Sequence, residues 1–124
     1  MFEFSPAKSG LAHSKIPGFE RTEHPHIVRV PGIGNGEPII ENTRISVRLI
    51  ATYFKEGATV EKILHDYPHL NPAAIYDAIS YYLDHPDEIE VLIETHKIEN
   101  ILAREGLMMR EDGVIYHPDD PANQ

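Results

Sequence analysis

The sequence predicts a mainly α fold: a small N-terminal β-hairpin, three short helices and one further helix toward the C-terminal end. Three observations carry that expectation. A β-branched run and an Ile-Ile pair flank a dense turn signal, reading IVRV, PGIGNGEP and II over residues 27–40. Good N-cap residues then recur at Ser46, Thr59 and Asn71, each ahead of an amphipathic pattern. Pro86 interrupts the third pattern, and Asp87-Glu88 behind it suit a fresh helix start.

Residues 1–25 mix Ser, Lys, Gly and Pro with scattered apolar positions and show no period, which reads as a mobile or extended N-terminal arm. The run at 27–30 and the pair Ile39-Ile40 then form a small antiparallel hairpin or ribbon. Helix one starts at the Ser46 cap, with Ile45 and Ile50 at the spacing of a hydrophobic staple. Leu49, Ile50, Tyr53 and Phe54 form its apolar face, and Gly57 sits where a C-terminal cap belongs. Helix two runs from Thr59 through VEKILHDY and ends before Pro68. Helix three opens at Asn71-Pro72, with Ile75, Ile79, Tyr82 and Leu83 as its buried stripe. The intervening Pro68-His69-Leu70 has the length of a helix-turn-helix connection, a pattern also found in tri-helical units that never touch DNA.

A fourth helix should reach about Arg104 and close at Gly106. LMMREDGVIYH reads as a hairpin with Asp112-Gly113 in its turn, and DDPANQ as a frayed tail. The division is therefore an arm at 1–25, a hairpin plus tri-helical core at 26–85, and an acidic C-terminal helix and tail at 86–124.

With 124 residues and 41% hydrophobic content, the chain can bury one modest core. No apolar run approaches the ~20 residues of a membrane span, and MFEFSPAKSGLAHSK lacks an apolar signal segment. The absence of cysteine excludes disulfides and thiolate metal sites and fits a reducing cytoplasm, so a cytoplasmic protein is expected. Net charge is −9, and the last third carries most of it, with ten acids against three bases in residues 86–124. Such a chain is repelled by nucleic acid at long range, so DNA binding would need a local basic patch. Only the middle segment offers one, through Arg29, Arg44, Arg48 and Lys55.

Residues 25–85 bring these signals together in one string. Gly36, Pro38, Ile40, Thr43, Arg44, Ile45, Val47, Gly57, Tyr67, Pro68 and Leu70 stand where the bacterial family called domain of unknown function 433 has its hallmark residues. The segment resembles that family over about half the chain. Asn42 stands in place of the usual Gly before Thr-Arg, and Asn35 in place of the first of a common Gly pair; Asn is the next-best residue for a left-handed backbone. The resemblance implies a homeodomain-like tri-helical fold. It also implies an antitoxin role, with a PIN-like ribonuclease toxin as partner and operator DNA as a second ligand.

Arg44 and Arg48, four apart across the entry to helix one, could clamp a DNA backbone or anchor an acidic groove on a partner. Alternatively, Arg44 braces the strand–helix corner while Arg48 is simply exposed. The outer face of helix three, by contrast, carries Ala73, Asp77, Ser80 and Asp84, which suits neither phosphate nor most base edges. Asn71 and Tyr76 are its only plausible DNA contacts. GIGNG lacks a GxxxxGK[ST] string and reads as a bare turn. His65 and His69 are four apart, but Pro68 ends the helix between them, and HExxH is absent, so no metal or cofactor is expected. No nucleophile motif or paired catalytic carboxylate supports an enzyme.

Helix four shows two apolar faces. Ile89, Leu92 and Ile93 make one; Val91, Ile98, Ile101 and Leu102 make the other, which would form a dimer seam or hold a partner unless the C-terminal hairpin covers it. The expected function is an antitoxin-like regulator of a type II toxin–antitoxin pair. It would be a non-enzymatic homodimer that binds a PIN-like toxin and, through Arg29, Arg44, Arg48, Lys55, Asn71 and Tyr76, operator DNA. The alternative is a protein-interaction or dimerisation module without DNA binding.

Overall fold

IVRV forms a strand because β-branched side chains suit a pleated surface buried on both sides. In the computed structural model, which describes residues 12–118, β2 (Ile27–Arg29) pairs antiparallel with β3 (Ile39–Ile40), Ile27 facing Ile40 and Val28 facing Ile39. A further strand, β1 (Glu20–Arg21), adds to the other edge of β2. The segment read as an arm therefore belongs to the sheet from residue 20, and residues 1–11 lie outside the described residues. Sequence pattern could not reveal β1: two charged, exposed residues carry no alternation, and only their pairing makes them a strand. Val28, Val30 and Ile39 form one buried cluster, covered by Ile16, Phe19 and Ile33.

The link from β2 to β3 turns through a 3-10 turn at Gly34–Gly36 whose three residues all take positive φ, Asn35 at 56°. Glycine is favoured at 34 for a second reason: a Cβ there would lie 3.0 Å from the Glu37 side chain, which would have to shift. Asn42 takes φ 63° at the next corner, as its replacement of a left-handed Gly predicts. Thr43 fixes that corner by donating to the Ile40 carbonyl and accepting from the Ile45 N–H.

α1 (Val47–Lys55) follows at once. Ser46 accepts the Leu49 N–H at 3.0 Å, while the Val47 N–H reaches back to the Pro38 carbonyl. Gly57, at φ 81°, ends the helix with its N–H on the Phe54 carbonyl. α2 (Val60–Asp66) is capped by Thr59, and α3 (Pro72–Asp84) by Asn71 with Pro72 in its first turn. α3 is the central element, packing on α1, α2, β2 and β3.

Two predicted faces need correcting. α1 buries Val47, Ile50 and Ala51, whereas Phe54 is exposed. α3 buries Ala74, Ile75, Ala78, Tyr81 and Tyr82, whereas Ile79 is half-buried and Leu83 exposed. Small residues define both seams: alanine lets a neighbouring helix approach closely, which a search for large apolar residues overlooks.

α4 (Pro86–Arg104) carries buried Ile89 and Ile93. The chain divides within this helix into two compact units, one ending at Ile89 and the other starting at Glu90. In the second unit, the Leu107 N–H bonds the Leu102 carbonyl past Gly106, and β4 (Met108–Met109) pairs antiparallel with β5 (Ile115–Tyr116). Gly113 (φ 89°) and Asp112 turn that hairpin, the latter accepting the Val114 N–H. The tail read at DDPANQ lies outside the described residues.

Candidate functional site

The six residues put forward for DNA divide sharply. Arg29 points from β2 at α3, donating to the Tyr81 hydroxyl at 2.8 Å and to Glu88 at 2.6 Å. Burial works against its charge, but the Glu88 carboxylate more than offsets this and holds the guanidinium above its ordinary value. Arg48 is clamped on both Glu37 oxygens at 3.1 and 3.2 Å, the two side chains being only 20% and 10% exposed. Both arginines thus serve the fold. The corner is braced by Arg48 and Glu37, while Arg44 is exposed and makes no hydrogen bond or ion pair among the described residues. Lys55 lies exposed in the last turn of α1. Asn71 spends its side-chain oxygen on the Ala73 N–H, and Tyr76 is exposed.

Asp77 and Asp84, read as a solvent-facing acidic face, are instead engaged from the N-terminal side. His24, almost fully buried, places Nδ1 2.9 Å from Asp77 Oδ1 and Nε2 2.8 Å from Asp84 Oδ2. The other Asp77 oxygen accepts the His26 N–H at 2.8 Å. Thr22 supports the turn by bonding the His24 N–H and the Ile27 carbonyl. Around this centre, Glu23 bonds His85, and the Tyr81 ring lies against both imidazoles, with centroids 5.2 Å from His24 and 4.4 Å from His85. Burial opposes a charged His24, yet the hydrogen bonds of Asp77 and Asp84 prevail and raise its pKa. The His85 bond lowers the pKa of Glu23. Tyr81 is pushed up to about 12, first by burial and then by its bond to Glu88. Glu23, His24 and His85 present ligand atoms that could hold a metal ion.

Sequence reasoning missed this cluster because His24 and Asp84 are sixty positions apart and no local pattern joins them. The one available signal was two acids, Asp77 and Asp84, seven apart on one helix face. Elsewhere, a cleft of about 410 Å³ opens between Asn42-Thr43 and the start of α3, with His26, His69 and Asn71 on its walls.

Of the four residues put forward for a partner seam, Val91, Ile98 and Ile101 are exposed, while Leu102 is buried. Leu102 is withdrawn from solvent within the chain and cannot form part of an open seam. Met108, Met109, Val114 and Ile115 on the β4–β5 hairpin are exposed as well.

A family model described as "Protein of unknown function (DUF433)" matches residues 27–82. Among solved structures, a DUF433 member protein from Anabaena variabilis ATCC 29413 is similar at 33% identity and a TM-score of 0.53, over 56% of this chain and 68% of that one. No curated protein matches. The matched residues hold β2, β3, α1, α2 and nearly all of α3, leaving His24, Asp84 and the C-terminal unit outside. By that shared core, the chain belongs to the DUF433 family of proteins of unknown function.

Proposed function

We propose that the protein is a non-enzymatic, antitoxin-like interaction protein that binds a partner protein through its C-terminal unit and associates as a homodimer. One observation carries this reading. Seven large apolar side chains, Val91, Ile98, Ile101, Met108, Met109, Val114 and Ile115, stand exposed between positions 91 and 115. Exposed apolar groups in such number mark interaction surfaces. The acids interspersed among them, such as Glu94, Glu99 and Glu105, suit a basic partner surface. A PIN-like ribonuclease, the toxin class implied by the family resemblance, has the required character.

The test is Ile98→Glu with Ile101→Glu, both at exposed positions. The pair should lower the oligomer mass seen by light scattering and abolish co-purification with a toxin encoded in the neighbouring gene. Retention of both would refute the assignment.

Operator binding is a second reading, supported by the exposed guanidinium of Arg44 at the start of the three helices α1–α3, which we read as a homeodomain-like arrangement. The short α2–α3 connection and the packing of α3 on both earlier helices support that arrangement. Against it, Arg29 and Arg48 are held by Glu88 and Glu37. A promoter gel shift between about 50 and 200 mM salt decides: phosphate-driven binding weakens steeply over that range, and Arg44→Ala should remove it.

A further inference from the structure

We propose that Glu23, His24, Asp84 and His85 form a site for a divalent ion of the zinc class, a structural clip between the turn ahead of β2 and the C-terminal end of α3. The ligand atoms of Glu23, His24 and His85 all lie within 4.8 Å of one another. Asp84 Oδ2 is 2.8 Å from His24 Nε2, and Glu23 Oε2 is 3.9 Å from the same nitrogen while it also touches His85 Nε2. Three donors from two chain segments therefore converge on one point, and the Asp84 carboxylate stands beside them at His24 Nε2, where a turn of its exposed side chain would bring the fourth. Tetrahedral zinc, with bonds of about 2.0–2.2 Å, spaces its donors roughly 3.4 Å apart. The existing separations straddle that value, so small side-chain movements would close the shell.

The protonation chemistry points the same way. His24 Nδ1 faces Asp77 Oδ1, a hydrogen bond that fixes the ring whether a proton or a metal ion sits at Nε2. The Nε2 lone pair then faces two carboxylates and requires a cation. A proton there joins His24 to one carboxylate, whereas a metal ion engages all four donors. Asp77 also accepts the His26 N–H, so it is held in the position of the carboxylate that orients a metal-bound histidine. Two imidazole nitrogens with two carboxylate oxygens suit zinc better than magnesium or calcium, which take oxygen ligands. The Glu23 and Asp84 side chains are each 59% exposed, which opens a path from solvent, while the Tyr81 ring lies against both imidazoles. Four protein donors leave no open position, so the role is structural.

The full chain, stripped with chelator, is titrated with ZnCl2 by calorimetry and with CoCl2 by visible absorption. The expected results are one ion per chain, a tetrahedral cobalt spectrum and a Tm raised by about 5 °C or more at excess metal. Glu23→Gln and His85→Ala, neither at a fully buried position, should each weaken binding at least ~10-fold, and Asp77→Asn by ~10-fold. In the unmodified chain, zinc must also shift the Nε2 resonances of His24 and His85, a readout independent of variant folding. Absence of stoichiometric binding overturns the proposal. So does unchanged affinity in the Glu23→Gln/His85→Ala pair, or zinc shifts confined to other histidines.

Discussion

Arg44 and Arg48 look alike in sequence and do opposite work. Arg48→Ala would leave the Glu37 carboxylate nearly buried without its guanidinium, at a cost of about 2–3 kcal/mol. Arg44→Ala, at an exposed position, should change stability by less than ~0.5 kcal/mol. Urea unfolding of the two variants checks the contrast; equal losses would contradict the pairing. Near Arg44, His13 is buried with Nδ1 accepting the Asn42 N–H at 2.9 Å. Burial lowers its pKa, Glu41 works in the opposite direction and Arg44 adds to the lowering. Because the unfolded chain titrates near 6.5 and the folded chain lower, the unfolded state binds more protons in between. This group's contribution is therefore full above pH ~6.5 and falls as pH drops toward the folded value. NMR titration should find the His13 midpoint below 6.5, moving upward in Arg44→Ala.

At the scale of elements, what was legible is what is local. Ser46, Thr59 and Asn71 each cap the helix they announce, since a cap needs only its own side chain and an N–H two or three residues on. Asn35 and Asn42 take left-handed backbone for a similarly local reason. Strand β1 and the engaged acidic face of α3 were not legible, because each depends on partners distant in the chain. The α3 stripe was misplaced because Ala74 and Ala78 attract no notice as hydrophobes, and Tyr81 buries its ring only with Arg29 and Glu88 satisfying its hydroxyl. Ala78 is completely buried on the helix that packs against α1. Ala78→Leu should overpack this region and destabilise by about 1–3 kcal/mol, measured by denaturant midpoint. A neutral result would mean that the region has spare volume.

For the molecule as a whole, the charge imbalance seen in the sequence is distributed in a telling way. Among the cations of residues 26–85, Arg29 pairs with Glu88, Arg48 with Glu37 and, at the surface, Lys62 with Asp66. The candidate DNA surface is thus poorer than a count of arginines suggests, and this loss could not be foreseen without the pairings. No described helix is long and apolar enough to cross a membrane. A chain beginning at Ile27, the first residue of the family match, would lose β1 together with the His24 and His26 bonds to Asp77. It should be less stable than the full chain by roughly 2–4 kcal/mol and show faster amide exchange in α3. Equal stability would show that the preceding residues add nothing.

The His24 clasp has an evolutionary consequence. Asp77 falls inside the stretch that defines the family, whereas the imidazole that answers it lies three residues before that stretch begins. A half-buried carboxylate inherited without its partner is a burden, so the two positions should change together among relatives. Those that lose the histidine should exchange the aspartate for a neutral residue, and that covariation would be visible only in comparisons extended beyond the conventional domain boundary.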